Sequence, residues 1–234
     1  MNSDQIERVP VLVTNGWLRI AYNVVESLGR RGVPVHVVDS SRLAMCRKSR
    51  WTRSFHEIPN HYADPEGFDA LINVITDATI HYLKKQIESG AEVVKLFDSW
   101  AGALSPATFE KYSVQPTIRI IKALGQAHPD VPVIAFPRGA GASYIDFSKK
   151  VPARALALDT QVPLDWAMRE MPDTVLQGNM DPMFMVVGGD PLADEARKIC
   201  DQMHGHPHIF NLGHGITPDA DPGSVDVLLR AIRG

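Results

Sequence analysis

The sequence predicts an α/β fold of eight alternating strand and helix units in one domain over residues 1–234. Short runs rich in β-branched residues alternate with longer segments whose apolar residues recur with a helical period. The 234 residues are 44% hydrophobic and 22% charged, which suffices to bury the core of one such domain. Because eight units with right-handed crossovers can close on themselves, the predicted architecture is a (βα)8 barrel.

The strands are predicted where β-branched runs are bounded by turn residues. The run at residues 33–39 is the clearest, and the run at residues 54–58 is the weakest. If this third strand fails to pair beside the fourth, the sheet stays open, with exposed edges and a tendency to dimerise. The eight predicted strands are residues 9–14, 33–39, 54–58, 92–98, 131–136, 154–159, 174–178 and 207–212.

The helices are predicted from caps and apolar periodicity. The first covers residues 17–28. The helix after the third strand begins with Asp64 as N-cap and Pro65 at the first helical position, and it ends at Gly90. The closing helix covers residues 225–233.

Composition and charge exclude several classes of protein. The formal net charge of -3 produces no global field that favours nucleic acid or membranes. Cys46 and Cys200 lie far apart in sequence, which argues against a zinc knuckle or disulfide scaffold and fits a reduced compartment. Residues 1–8 are polar, unlike a signal peptide, and no apolar run approaches the roughly 18 residues of a membrane span. We therefore predict a cytoplasmic protein without a nucleic-acid or membrane partner.

Polar and glycine residues recur at the ends of the predicted strands. Ser99, Arg138, Asp159 and His214 all lie at such ends, where barrels and open parallel sheets gather functional residues. The competing interpretation is that these residues cap the helices that follow. The strand-end segments are residues 15–17, 39–41, 98–100, 137–139, 159–160, 177–179 and 211–215.

Two further patterns raise the question of a binding site. A basic run follows the second predicted strand and is either a ligand for phosphate or carboxylates or a solvated surface segment. Trp51 and Phe55 lie in this run, but one short run is weak support for nucleic-acid stacking. His204, His206 and His208 alternate, yet no carboxylate or cysteine completes a metal-binding set, so no metal is predicted. The basic residues are Arg42, Arg47, Lys48, Arg50 and Arg53.

Five segments occur in an order that is far more specific than any single one. From about residue 76 to the C-terminus, this series resembles uroporphyrinogen decarboxylase. The resemblance implies a TIM-like barrel, a homodimer, and a reaction without cofactor that converts the four acetate side chains of uroporphyrinogen to methyl groups. The segments are LFDSWAG at residues 96–102, FPRGAG at 136–141, LALD at 156–159, LQGNMDP at 176–182 and FNLGHG at 210–215.

The resemblance also implies roles for individual residues. Ser99 matches the serine that contacts the substrate carboxylates, and His214 matches the active-site histidine. The family's Arg-Gln-Ala-Gly-Arg segment, its aspartate facing the pyrrole N–H groups and a further tyrosine are not found in this sequence. Their loss predicts weak or lost catalysis, because a charge facing a developing cation accounts for several kcal/mol of barrier lowering.

The first part of the chain has a different resemblance. Residues 8–73 resemble the Rossmann-like N-terminal domain of ATP-grasp ligases, through VLVTNG at residues 11–16, GRRG at 29–32 and VHVVDS at 35–40. No G-x-G-x-x-G is present, so ATP binding is not predicted. The interpretation is a recombined chain, natural or engineered, in which three Rossmann-like units and five decarboxylase units form one barrel joined near residue 75.

Three functions remain open at this point. The leading hypothesis is a chimeric scaffold that retains part of a tetrapyrrole-carboxylate site. The second is a working decarboxylase in which Arg42 and Arg47 replace the lost arginines, Asp39 replaces the lost aspartate, and Arg138 is a further carboxylate ligand. The third is a module that binds a small anion without chemistry.

Overall fold

The computed structural model describes residues 10–14, 16, 18–60 and 63–233. The strand-end residues Asn15 and Trp17 and the polar residues 1–8 discussed above lie outside these ranges. Within them, strands occur at all eight predicted positions, shifted by at most a few residues. The strands are β1 (Val11–Thr14), β2 (Val35–Asp39), β3 (Thr52–Glu57), β4 (Val94–Asp98), β5 (Val133–Pro137), β6 (Ala155–Ala157), β7 (Val175–Met180) and β8 (His208–Leu212).

The strands form two parallel sheets, so the predicted single barrel is not confirmed. One sheet has the order β1-β2-β3 and the other the order β4-β5-β6-β7-β8. Within each sheet, every strand pairs with the next strand along the chain. β3 carries Arg53, His56 and Glu57 as exposed residues, and its register against β2 shifts between Val35 and His36. The strand that the sequence marks as weakest thus exposes charged and polar side chains.

Helices follow most of the strands. A helix between Pro106 and Ala127 contains one π-helical turn, Glu110–Val114, and short 3₁₀ turns occur at Met45–Lys48 and Ala101–Ala103. None of the helices described by the structure is long and apolar enough to cross a bilayer. The helices are α1 (Arg19–Arg30), α2 (Pro65–Glu88), α3 (Pro106–Phe109), α4 (Gln115–Ala127), α5 (Ser143–Lys150), α6 (Leu164–Glu170), α7 (Met183–Val187), α8 (Gly189–Gln202) and α9 (Gly223–Arg233).

The chain divides into two compact units, Met1–Ile75 and Thr76–Gly234. In the first unit, α1 packs on one face of the three-stranded sheet because its small and apolar residues recur at helical spacing. This core is small, and Trp51 and Phe55 complete it as half-buried neighbours. The buried core residues are Val13, Ala21, Val25, Val35, Val37 and Cys46.

The second unit has a larger core between its sheet and its helices. β5 is buried along its whole length, as expected of a parallel strand with both faces covered. Leu176 of β7 and Leu192 of α8 are fully buried in this core, and Leu124 of α4 is 1% exposed. A rigid sheet of this kind holds the loops at its carboxyl edge, which is where polar residues follow the strands.

Candidate functional site

The loops after the strands of the second unit surround a cavity of about 460 Å³. The loops after β4, β5, β6, β7 and β8 all contribute, so five separate segments of sequence meet there. Three of the predicted site residues, Ser99, Arg138 and His214, line this cavity together. The lining residues are Ser99, Trp100, Gly102, Ala103, Arg138, Gly139, Asp159, Thr160, Gln161, Asp181, Pro182, Gly213 and His214.

Arg138 is joined on two sides to the loop that carries Ser99. Its backbone N–H donates to the carbonyl of Asp98 at 3.1 Å, and its carbonyl accepts from the N–H of Gly102 at 3.0 Å. Its guanidinium Nη1 lies 3.4 Å from the carbonyl oxygen of Ser99. The cation and the Ser99 hydroxyl therefore belong to adjacent, hydrogen-bonded loops.

His214 is exposed and lies in the loop after β8. The preceding Gly213 donates its N–H to the carbonyl of Met180 at 2.8 Å. A Cβ at position 213 would lie 2.5 Å from the backbone nitrogen of Thr160, so only glycine permits this approach of the two loops. The glycine thus brings the imidazole of His214 to the same cavity as Thr160.

Asp159 is a strand-end residue to which the sequence analysis assigned no specific role in the site. It is 5% exposed, and its Oδ2 accepts the N–H of Gly139 at 2.8 Å while its Oδ1 accepts the N–H of Gln161 at 3.0 Å. The capping interpretation of a strand-end aspartate therefore describes the bond to Gln161. The bond to Gly139 crosses to the preceding loop, and no pattern within the LALD segment indicates it.

Two buried neighbours complete the surroundings of Asp159. The Asn179 side chain donates to the carbonyls of Asp159 and Val162 at 2.8 and 2.6 Å. The Tyr144 hydroxyl donates to the carbonyl of Ala157 at 3.1 Å and lies 3.5 Å from Asp159 Oδ2. Burial, together with the charge of Asp159, raises the pKa of Tyr144 well above its ordinary value, so this hydroxyl remains a donor.

A π-helical turn fixes the carboxylate next to Ser99. Ser113, which is 2% exposed and lies in the turn Glu110–Val114, donates its hydroxyl to Asp98 Oδ2 at 2.6 Å. Such turns often occur at functional sites. Here the widened turn brings a serine from the helix to the last residue of β4.

The cavity lining combines one cation with hydroxyl groups and two carboxylates. Arg138 provides a cation with several N–H donors, and Ser99 provides a hydroxyl donor. Asp181 places a second carboxylate at the lining, and its Oδ1 accepts the N–H of Met183 at 2.9 Å. His214 adds an imidazole, which can donate or accept a hydrogen bond. The arrangement can bind a carboxylate and transfer a proton.

An apolar cleft of about 380 Å³ shares the residues Gly139, Asp159 and Gln161 with this cavity. Its apolar lining residues include Val162 and Trp166. A polar cavity and an apolar cleft therefore lie next to each other in the second unit.

The other predicted ligands, Asp39, Arg42 and Arg47, belong to the first unit. Arg42 Nε donates to Glu57 at 2.5 Å, and the Glu57 carboxylate raises the pKa of Arg42. Arg47 donates to the carbonyl of Arg42 at 3.0 Å. Its guanidinium also lies over the ring of Phe55, with a distance of 5.7 Å from Cζ to the centroid. Both cations thus have partners within their own sheet and loop.

Asp39 is buried at the end of β2, where its Oδ1 accepts the N–H of Ser41 at 2.7 Å. The neighbouring Cys46 is a fully buried core residue, and burial, with a smaller effect of the Asp39 charge, raises the pKa of its thiol. Asp39 therefore holds a turn in the first unit, and its predicted catalytic role stays a prediction.

The three alternating histidines do not converge. His208 begins β8, whereas His204 and His206 lie before the strand. His206 Nε2 is 3.0 Å from the carbonyl of Thr174, and His208 Nε2 is 2.5 Å from the carbonyl of Gly178. Among the residues that the structure describes, no three histidine, cysteine or acidic side chains are grouped as metal ligands.

Comparison with known proteins assigns the chain to a family. The family profile described as "Uroporphyrinogen decarboxylase (URO-D)" matches residues 49–234. This match begins well before residue 76, so the similarity extends into the part for which an ATP-grasp resemblance was predicted. Nothing in the comparisons shows an ATP-grasp-like segment or a recombined chain.

Curated relatives agree with the profile. Uroporphyrinogen decarboxylase of Jannaschia sp. is 58% identical over 171 residues, covering 73% of this chain and 50% of the relative. The protein of the same name from Cereibacter sphaeroides (strain ATCC 17025) is 44% identical over 209 residues, covering 88% of this chain and 60% of the relative. The chain thus spans about half the length of the curated relatives it matches. The match to the profile over residues 49–234 shows that this chain belongs to the uroporphyrinogen decarboxylase family.

Proposed function

We propose that the chain performs the decarboxylation for which its relatives are named, removing carboxyl groups from the acetate side chains of uroporphyrinogen without a cofactor. The observation that carries the proposal is that Ser99, Arg138 and His214 line one cavity although they come from three separate loops. The sequence relatives named as uroporphyrinogen decarboxylases favour this function over a scaffold without catalysis.

The cavity offers a role for each of its polar groups. Arg138 and the Ser99 hydroxyl bind a substrate carboxylate through charge-assisted hydrogen bonds. In the reaction, the bond between the acetate methylene carbon and its carboxylate breaks, CO₂ leaves, and the electron pair passes into a protonated pyrrole ring. His214 supplies a proton on the path that converts the methylene carbon to a methyl group. The ring then loses its extra proton and regains aromaticity.

The cationic pyrrole requires a negative group nearby. Two carboxylates, Asp159 and Asp181, line the cavity, and Asp39 is the replacement proposed from sequence for the family's missing aspartate. Asp181 is the candidate that the geometry favours, because it is exposed at the lining, whereas Asp159 and Asp39 are buried. A fixed negative charge at a developing cation lowers the barrier without reorganisation.

The family membership supports further proposals about assembly. We propose a tetrapyrrole substrate, a homodimer and a place in the cytoplasm, as the sequence predicts. Arg42 and Arg47 stay predicted carboxylate ligands, although both already bond to neighbours. A module that binds a small anion without chemistry is the remaining alternative.

The test is an anaerobic incubation of the purified chain with uroporphyrinogen, followed by chromatography of the oxidised products. We expect coproporphyrin from the unaltered protein and at least tenfold less from His214→Ala, in line with the usual contribution of a proton-transferring side chain. His204→Ala, which changes an exposed histidine outside the cavity lining, is the matched control and should retain activity.

Two outcomes would contradict the proposal. The first is a folded protein that forms no product, and the second is product that is unaffected by His214→Ala. If inorganic phosphate then raised the melting temperature of the inactive protein, the anion-binding alternative would be supported by mass action on the folded state.

A further inference from the structure

We propose that Asp159 is a positioning residue that holds Arg138 in place to bind a ligand carboxylate. The inference deepens the proposed function and rests on it only for the choice of a polycarboxylate ligand. Asp159 itself binds backbone N–H groups of two loops, and Arg138 lies in one of them.

The carboxylate of Asp159 joins consecutive loops through opposite oxygen atoms. Oδ2 accepts from Gly139, the residue directly after Arg138, and Oδ1 accepts from Gln161 in the loop that Asp159 itself begins. Both loops line the cavity. One side chain therefore fixes the distance between the loop of Arg138 and the loop of Thr160 and Gln161.

The position of Arg138 depends on these contacts because hydrogen bonds on each side restrict the turn in which it lies. Gly139 has φ +75°, a conformation that favours glycine, so the chain reverses directly after the arginine. On the other side, the backbone of Arg138 bonds to Asp98 and Gly102. The bond from Gly139 to Asp159 closes the remaining side of the turn and thereby sets the direction in which the guanidinium leaves the backbone.

Burial stiffens the hydrogen bonds that Asp159 makes to the two loops. Asp159 is 5% exposed and Asn179 is 8% exposed, so water has little access to compete for their hydrogen bonds. Asn179 donates to the carbonyl of Asp159. The Tyr144 hydroxyl donates to the carbonyl of Ala157 and lies 3.5 Å from Asp159 Oδ2. Networks of buried and satisfied polar groups rigidify the structure around them.

Asparagine cannot replace this aspartate even though it has the same shape. The carboxylate accepts on both oxygens, whereas an amide has one accepting oxygen and one NH₂ group that donates. In Asp159→Asn, the amide oxygen keeps the bond to Gln161, which lies two residues further along the same loop. The NH₂ group then faces the N–H of Gly139, so the bond between the two loops is lost and the turn that follows Arg138 loosens.

The experiment is a double-mutant cycle on the binding of uroporphyrin, the oxidised octacarboxylate, which serves as a probe for the carboxylate site. Its fluorescence reports the dissociation constant for the unaltered protein, Asp159→Asn, Arg138→Ala and the double variant. We expect each single variant to weaken binding about tenfold, as the loss of one charge-assisted hydrogen bond does. If Asp159 acts through Arg138, the double variant should also be about tenfold weaker, not a hundredfold. Asp165→Asn, an exposed aspartate in α6, is the control and should bind normally.

Melting temperatures measured without ligand separate positioning from a loss of folding. Should Asp159→Asn fail to fold, Tyr144→Phe takes its place in the cycle, with a two- to threefold weakening that disappears in the Arg138→Ala background. Additive effects in the cycle would overturn the inference, as would normal binding by Asp159→Asn or a failure of the unaltered chain to bind uroporphyrin. Coupling without turnover of uroporphyrinogen would contradict the proposed function alone, whereas turnover without coupling would contradict only the positioning role.

Discussion

Polar residues at strand ends make different kinds of contact in the two units of the chain. In the second unit, buried side chains bond from one loop to the next, as Asp159 does to Gly139 and Asn179 to Val162. In the first unit, the basic residues after β2 pair with exposed or half-buried neighbours, as Arg42 does with Glu57. Residue types suited to chemistry occur in both places, but we find connected loops around a cavity only for the second unit within the described residues. The comparison shows that a site depends on the buried groups that hold its loops as well as on the residues that face the ligand.

The largest expected effect on stability comes from a substitution that forces two loops of the second unit apart. A Cβ at position 102 would lie 2.3 Å from the carbonyl oxygen of Gly139, which is backbone and cannot move aside alone. We expect Gly102→Ala to lower the free energy of unfolding by about 3 kcal/mol, at the upper end of overpacking effects. Thermal or urea unfolding measures this change.

The matched control for Gly102→Ala is Gly125→Ala. Gly125 lies within α4, and a Cβ there would meet no atom within 4 Å. Because alanine loses less backbone entropy in a helix, this variant should be about 1 kcal/mol more stable than the unaltered chain. Equal effects of the two substitutions would show that loop contact at position 102 is unimportant.

A second prediction compares a buried hydrogen bond of the second unit with an exposed hydrogen bond of the first unit. Asn179→Ala removes the donor to two carbonyls in the second unit, those of Asp159 and Val162. Because both are left without that donor in a buried region, the expected loss is about 2 kcal/mol of stability. Urea denaturation measures it, with the slope of the transition as a check that the unfolding mechanism is unchanged.

The counterpart in the first unit is Ser41→Ala. The Ser41 hydroxyl accepts from Leu43 at 3.2 Å in an exposed turn, where water replaces it. We expect a change within about 0.5 kcal/mol, as for most surface substitutions. A loss equal to that of Asn179→Ala would mean that the strand-end bonds of the two units are energetically alike.

The smallest expected effect is the change of stability with pH. Burial lowers the pKa of His208, outweighing its bond to the carbonyl of Gly178, so the folded state disfavours the protonated ring. The unfolded chain then binds the proton more readily, and stability should be greatest above the ordinary histidine pKa of 6.5 and fall as the pH drops below it. Melting temperatures between pH 5 and pH 8 follow this loss. In His208→Gln the decline should be shallower, and an unchanged slope would show that other groups cause it.

Much of the local structure could be predicted from the sequence. The alternation of apolar runs and helical periods located all eight strands, and Asp64 and Pro65 marked the start of α2 at Pro65–Glu88. The motif order around Ser99 and His214 pointed to the family that the profile shows. These properties are encoded in short windows, because caps, periodicity and motifs involve neighbouring residues.

The sequence by itself thus determined the class of fold, the order of its elements and the family. The division of the strands into two sheets and the link between Asp159 and the turn of Arg138 were decided only in the tertiary structure. Which strands share a sheet depends on the surface that each strand can bury, and that is a property of the packed sheet. The bond from Asp159 to Gly139 joins residues 20 positions apart, and no local pattern specifies it because the packing of three loops creates it.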